Sequence, residues 1–492
     1  MQVELNYLKN HRAVDVGPLL QALCEEVEAT GADPTHLYVS LDWVQYKRNF
    51  RPPVDWRCYL LPDGSLEEVR EIAIDVRRLP AGGAEGLADW RPALRQALSQ
   101  PSLGPALPAA PAAEGQPLYL EPFVRPSQSI IWAFNRLYWQ HLSLWEAVFR
   151  GDYLAALPGG VSDGMNPQFW RERLEAFLAV LDDLDRRGLV PEEIFVLELG
   201  VGNGHQAKIW LDTFRALCAE RGRDYFRRVR YLMSDYSADV LRTARRAVEE
   251  YGEQVSCLSL DATDPLHALA FLRYKVLFIH SCNLYDNLPT DEVARRNGHL
   301  YEVQVRAYLP AAAVAALCAT HQQTPETLPT TIQRLLRIGP EYFDDPEQGV
   351  RFWAAVWEAL RLEERYVLLE DAEGYRLAPG VYGVRLDDVL GQFPGDLRMH
   401  LSTMAVQSFV NTLPLLHPRG MFQVQDLFVT SLDQYRGTFR GPGKLEGSIV
   451  NWLNGPLLRA VGDHLGYTVH FEPFTRYRAK SNTVVLTTSQ KE

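Results

Sequence analysis

The stretch FVLELGVGNG, Phe195 to Gly204, decides how this chain folds. It opens as a short apolar run, carries an acid at Glu198, and then places Gly200, Gly202 and Gly204 at every second position. A short apolar run ending in a turn signal reads as a buried strand, here 195–199. A helical pattern over about 205–220 follows it. In an open α/β sheet, ligands sit beyond the carboxyl ends of the strands, where the strand order reverses. Glycine there permits positive φ and lets a ligand approach the main chain closely. A G-x-G-x-x-G fingerprint would need glycine where His205 stands, so the third glycine falls one residue early.

The segments downstream alternate. Strands are expected at 229–235, 255–260 and 275–281, with a helix at about 238–251. Such alternation argues a parallel, doubly wound α/β sheet with helices on both faces. A long, mostly helical insertion is expected at about 290–400. Beyond it, MHLSTMAVQSFVNTLPLL (399–416) reads as a helix, GMFQVQDLFV (420–429) as a strand, NGPLLRAVGDHLG as a helix, and TVHFEPF and NTVVLTT as a closing strand pair. Upstream, Asn166-Pro167 is an N-cap and first-turn pair opening a helix with Leu174, Phe177, Leu178, Leu181 and Leu184 on one face. The aromatic stretch 129–149 repeats its apolar residues at helical spacing, which suits core packing first and a lid over a site second. QPSLGPALPAAPAAEGQP, Gln100 to Pro117, lacks periodicity and reads as a linker over 98–118. It separates a 119–492 domain from a small α/β unit at 1–97. That unit has a helix at 17–30 and strand-like runs at 37–43, 56–64 and 71–78, the last two separated by the turn signal Pro62-Asp63-Gly64.

E-x-G-x-G-x-G is the spacing used for S-adenosylmethionine, whose amino-acid part lies against such a loop. Two further strand ends agree. A ribose needs an acidic acceptor for its hydroxyls, and YLMSDYS supplies Asp235, with Tyr236 placed to lie along ribose or adenine. An adenine amino group needs an acceptor, and SCLSLDATD supplies Asp261 beside Ala262, with Asp264 as a nearby competitor. An isolated acid at a strand end is otherwise a helix N-cap. The expected ligands are therefore S-adenosylmethionine and S-adenosylhomocysteine, bound by Glu198, Gly200, Gly202, Gly204, Asp235, Tyr236, Asp261 and Ala262. His205 reads as a solvent-facing loop residue rather than a ligand contact.

The next strand runs into SCNLYDNLP, Ser281 to Pro289. With RGMFQVQD (Arg419 to Asp426) and RGTFRGPGKLEGSIVNWL (Arg436 to Leu453), it resembles the MidA family. These are class I methyltransferases related to the mitochondrial complex I assembly factor that methylates an arginine. The resemblance covers about residues 120–490. It implies a Rossmann-like class I fold and methylation of a protein side chain. The family's S-N-E-L-F-D-A-L-P has Cys282 and Asn283 in place of its Asn and Glu, which removes one carboxylate from the acceptor side. A guanidinium needs carboxylates to orient it, since it stays protonated at ordinary pH. Asp286 is retained and, with Asn283, is the candidate catalytic pair; alternatively Asp286 only caps the next helix. A small-molecule acceptor, or a cofactor-binding assembly factor without turnover, stays open beside the protein acceptor.

Composition narrows the classes further. A formal net charge of −12 disfavours a nucleic-acid partner, because phosphate backbones reward clustered Lys and Arg. The basic cluster RYRAK, 476–480, reads as a solvated hairpin turn. Six cysteines without a CxxC or paired spacing point to neither a zinc site nor a disulfide framework, so no metal is expected and a reducing cytoplasm fits. The amino terminus carries charges where a signal peptide would be apolar, and a membrane partner is not expected.

Overall fold

The computed structural model describes residues 1–492 apart from 7–16, 36, 43–48, 53, 61–67, 76–90, 100–115, 158–159, 392, 394, 436–440 and 492. The turn signal at 62–64, most of the linker and the start of the Arg436–Leu453 match lie outside the described residues. The N-terminal unit runs β1 (Gln2–Asn6), α1 (Gly17–Thr30), β2 (Leu37–Asp42), β3 (Val54–Leu60), β4 (Glu68–Asp75) and α2 (Arg91–Ser99). Its sheet has the order β1-β2-β4-β3, parallel except for the β3–β4 pair. Leu19, Leu23, Val39, Ile72, Ile74 and Leu94 form its core. β1 had no counterpart in the sequence reading.

Then come β5 (Leu118–Tyr119), α3 (Ile131–Gln140), α4 (Leu142–Phe149), α5 (Tyr153–Ala156) and α6 (Pro167–Arg186). The aromatic stretch is thus two helices, broken at His141 (φ −120°, ψ 27°). Asn166 caps α6 as expected, its side chain accepting from the Phe169 N–H at 2.9 Å. The central sheet begins with β6 (Ile194–Leu199), α7 (His205–Glu220), β7 (Val229–Asp235), α8 (Ala238–Ala247), β8 (Val255–Ser259), α9 (Pro265–Leu269) and β9 (Val276–Cys282).

The insertion follows as β10 (Glu292–Arg296), β11 (His299–Leu309), α10 (Ala311–His321), α11 (Leu328–Ile338), α12 (Pro346–Ala359), β12 (Arg361–Leu368), α13 (Leu386–Leu390) and β13 (Leu397–His400). The expectation of a mostly helical insertion needs correction. Its strands form an antiparallel sheet, β12-β11-β10-β13, with β5 paired to β11. β11 carries the period of two that marks a half-buried strand: Val303, Val305, Ala307 and Leu309 are buried, while Gln304, Arg306 and Tyr308 are less so. The chain returns through α14 (Thr403–Thr412), β14 (Leu416–Asp426), β15 (Phe428–Val429), β16 (Gly443–Leu445), β17 (Ser448–Val450), β18 (Leu453–Asn454), α15 (Gly455–His464), β19 (Tyr467–Pro473) and β20 (Val484–Gln490). The start of the expected 399–416 helix is the end of β13.

The seven central strands have the order β19-β20-β14-β9-β6-β7-β8. β14, β9, β6, β7 and β8 are parallel, and β20 runs antiparallel to both its neighbours. This is the doubly wound, Rossmann-like class I sheet expected from the sequence. Strand order reverses between β6 and β9, which places the glycine turn at the switch point. On one face Val196, Tyr231 and Phe278 pack under Trp170, Phe177, Trp210 and Phe214 of α6 and α7. On the other, Leu197, Leu199 and Ile279 pack with Phe409, Leu457 and Leu458 of α14 and α15.

The N-terminal unit shares a core with the insertion. Phe50 is 1% exposed and packs edge-on to Trp357 at 5.2 Å. Its carbonyl accepts from the Leu362 N–H at 2.9 Å. Glu71, fully buried, accepts from the Tyr366 hydroxyl at 3.0 Å and lies 3.9 Å from the Arg296 guanidinium.

Candidate functional site

Beyond the carboxyl ends of β6, β7, β8 and β9 lies a cavity of about 660 Å³. Gly200, Gly202, Asp235, Tyr236, Asp261, Ala262 and Asn283 all line it, so seven of the ten expected site residues converge on one space. At Gly202 (φ 58°) no atom lies within 4 Å of where a Cβ would stand, leaving the loop backbone open to a ligand. Gly202→Val is therefore expected to abolish S-adenosylhomocysteine binding while the protein still melts cooperatively; unchanged affinity in a calorimetric titration would place the ligand elsewhere. Gly204 has a different task. It caps α7 at φ 79°, and a Cβ there would come within 2.6 Å of the Ala244 Cα, so it permits α7 to pack on α8 and is absent from the cavity wall.

The acids at the strand ends are sorted by their partners. Asp235 accepts from the Ser237 N–H at 2.9 Å, and Ser237, not Asp235, caps α8 by accepting from the Val240 N–H at 3.4 Å. Burial raises the Asp235 carboxyl to about 6, against lowering by the Ser237, Gly202 and Tyr236 N–H groups. Asp261 accepts from the Thr263 N–H and hydroxyl, both at 2.8 Å, while Asp264 caps α9 through the His267 N–H at 3.3 Å. The two neighbouring acids therefore do not compete. The Tyr236 hydroxyl donates to the Arg136 carbonyl at 3.3 Å, tying the end of β7 to α3. His205 is exposed and off the cavity wall.

Two expected residues lie beneath the site instead. Glu198 is 2% exposed and does not line the cavity. The period of two along β6 turns it to the Val196 face, where the Tyr231 hydroxyl donates to it at 2.8 Å. Burial raises its carboxyl to about 8, partly offset by that bond. Asp286 is 6% exposed and also off the wall. Its Oδ1 accepts from the Asn287 side chain at 2.7 Å, and its own N–H donates to Asp426 at 3.2 Å. Burial first, and then the Asp426 carboxylate, push the Asp286 carboxyl well above the ordinary range. It lies under the cavity floor. Asn283 does reach the cavity, from a left-handed backbone (φ 49°) that Asn tolerates better than most side chains.

The facing wall comes from α3, α4 and α5. Trp132, Arg136 and Trp139 line it, with Glu146, Asp152 and Tyr153. The Trp139 and Tyr153 rings meet edge-to-face at 5.2 Å. Glu146 accepts from the Tyr153 N–H at 2.9 Å, and burial lifts its carboxyl above the usual range. Asn287 anchors this wall: its side-chain oxygen accepts from the Trp139 indole at 3.1 Å, and its carbonyl accepts from the Asn135 amide at 2.9 Å. The Asp-Asn-Leu-Pro turn thus fastens α3 to the end of β9. Sequence reading missed Glu146, Asp152 and Tyr153; the one local signal was Asp152 after Gly151, the cap of α5. Four carboxylates and one guanidinium line the cavity, a negative field suited to a cationic occupant.

Among the described residues, no helix is long and apolar enough to cross a membrane. No family model matches the sequence, and no curated protein matches it. Among solved structures, the chain is similar to a COG1565 superfamily protein from Burkholderia thailandensis bound to S-adenosyl-homocysteine, at 15% identity, over 67% of this chain and 78% of that one, with a TM-score of 0.39. A second COG1565 superfamily structure from Burkholderia thailandensis is similar at 15% identity over 73% and 93%, with a TM-score of 0.38. The Burkholderia thailandensis 1,6-didemethyltoxoflavin-N1-methyltransferase is similar at 11% identity over 77% and 100%, with a TM-score of 0.28.

Proposed function

We propose that this chain is an S-adenosylmethionine-dependent methyltransferase acting on a cationic protein side chain, arginine by the MidA resemblance. The observation that carries the reading is a single cavity with two unlike walls. One wall joins the glycine turn to Asp235 and Asp261 on successive strand ends; the other presents Trp139 and Tyr153 beside Glu146 and Asp152. The open space beside Gly202 and the Asp235 carboxylate on the cavity wall fit the donor's amino-acid chain and ribose.

When bound, S-adenosylmethionine supplies a methyl group on a sulfonium. The chain supplies placement: fixing an acceptor nitrogen in line with that group is worth more than any acid or base, provided water is kept out. The aromatic rings give an acceptor cation flat, apolar faces. Glu146 and Asp152 replace the carboxylate that Asn283 lacks, holding a guanidinium by charge-assisted hydrogen bonds. Glu146, with its raised affinity for protons, is suited to receive the proton the acceptor nitrogen must lose.

The test is incubation with methyl-labelled S-adenosylmethionine and a lysate of the source cells, followed by hydrolysis of the protein fraction. Labelled methylarginine is the expected product, and Glu146→Gln should cut its formation about 100-fold or more, the ordinary weight of a general base. Label confined to small molecules would favour the second reading, which the Glu-to-Asn exchange at Asn283 supports. Tight S-adenosylhomocysteine binding with no transfer would leave a cofactor-binding assembly factor.

A further inference from the structure

Beneath the glycine turn, three buried polar side chains from three adjacent strands are joined in a line that surfaces in the cavity. The Tyr231 hydroxyl donates to Glu198 Oε2 at 2.8 Å, His280 Nε2 lies 2.8 Å from the same hydroxyl, and Gln206 Nε2 lies 3.2 Å from His280 Nδ1. Glu198, Tyr231 and His280 are all 2% exposed or less, whereas Gln206, in the first turn of α7, lines the cavity.

We infer that Glu198, Tyr231 and His280 are positioning residues that hold Gln206 with its carboxamide oxygen presented as an acceptor for the ammonium group of the methyl donor. This rests on the cofactor reading above. The direction of the Tyr231–Glu198 bond leads to it. A phenol has one proton; with Glu198 ionised, Tyr231 gives that proton to it, and the phenol oxygen accepts from His280 Nε2 at 2.8 Å. Burial holds His280 far below its usual range, at about 3, so the ring is neutral and carries a single proton. With that proton on Nε2, Nδ1 accepts from the Gln206 amide nitrogen, 3.2 Å away. The carboxamide oxygen is left as the free end of a side chain that lines the cavity, and among the described residues nothing donates to it. Asp235 is the other charged group acting on Glu198; Trp170 of α6 stacks edge-on against His280 at 5.0 Å and brings no charge.

A second observation marks the same oxygen. It lies against the buried Gly164: a Cβ there would fall 2.4 Å from Gln206 Oε1 and 2.7 Å from the Cys282 sulfur, so a side chain at 164 would push the carboxamide from its place. The location also suits the amino-acid end of the donor. With ribose at Asp235 and adenine at Asp261, beyond β7 and β8, the remaining end lies over β6 and β9, where Gln206 and Cys282 line the cavity. An amide oxygen only accepts, which selects the ammonium and not the carboxylate of that group.

The test uses the full chain and three probes: S-adenosylhomocysteine, decarboxylated S-adenosylmethionine, and 5′-methylthioadenosine, which has no amino-acid part. Gln206→Ala should weaken the first two about tenfold to a hundredfold, as expected for a hydrogen bond to a charged group, and leave the third unchanged. Tyr231→Phe, nearly isosteric, should give the same selective loss by freeing the His280 tautomer. Nitrogen NMR of labelled protein, with His280 assigned through a His280→Gln variant, should show a protonated Nε2 and a bare Nδ1. A protonated Nδ1, equal losses for all three probes, or no loss in Gln206→Ala would overturn the inference. If wild-type protein bound neither S-adenosylhomocysteine nor 5′-methylthioadenosine, the cofactor reading would fall, and this assignment with it.

Discussion

Deleting residues 1–97 is expected to leave a chain that does not hold a stable fold. The Pro/Ala-rich stretch suggests two separable units, but the contacts between them are those of one core. Phe50 fills a buried position against Trp357, and the Lys444 ammonium lies 4.8 Å from its ring centre. Emptying such an aromatic site costs about 3–5 kcal/mol. Glu71 faces Arg296, which is 6% exposed and also lies over the Tyr38 ring at 5.7 Å. Replacing Glu71 alone, which leaves that guanidinium buried and unpaired, costs a comparable ~3–5 kcal/mol. Against a total stability of about 5–15 kcal/mol, these two losses are most of what a chain has. The truncated protein should therefore aggregate or melt without a cooperative transition, and the Glu71→Ala variant of the full chain should already melt well below wild type. A monodisperse 98–492 protein with undiminished S-adenosylhomocysteine affinity would show the linker to be a true boundary.

Asp235→Ala should weaken S-adenosylhomocysteine about tenfold to a few hundredfold, since each hydrogen bond lost to a charged group costs roughly 1.5–3 kcal/mol. The rival role, capping α8, belongs to Ser237, so the fold should survive. The pH dependence gives a sharper signature. In the free protein burial holds this carboxyl at about 6. A folded value above the ordinary 3.8 means that ionisation is unfavourable in the folded state, so stability declines as pH rises from near 4 through 6. A ribose donates to the carboxylate, so binding reverses the preference: affinity should be level above pH 6 and fall about tenfold per unit below it. Asp235→Asn, which keeps one acceptor and cannot ionise, should bind more tightly than Asp235→Ala and lose that acid limb. Titrations at pH 5, 6 and 7.5, with melting curves on the same variants, separate these outcomes. A destabilised Asp235→Ala with wild-type affinity would remove Asp235 from the site.

Local order along the chain was enough for the sheet and for one wall of the candidate site. A short apolar run followed by alternating glycines reads as a strand entering an open turn, and acids at the next two strand ends arrive at the same rim, because parallel strands in a doubly wound sheet align their carboxyl ends. Gly202, Asp235 and Asp261 were legible for that reason. Glu198 and Asp286 share the same motifs, yet their depth depends on which face of the strand they take and on what stands opposite. Tyr231 and His280, distant in sequence, draw Glu198 inward, and Asp426 meets Asp286 under the cavity floor. The sheet inside the insertion was hidden because its strands are bounded by helices and pair across long separations, as Tyr308 does with Arg361. The acceptor wall was hidden for a related reason. Glu146, Asp152 and Tyr153 sit among ordinary helical residues, and only the folding of α3 to α5 over the glycine turn, fastened through Asn287, brings their carboxylates and rings to face it.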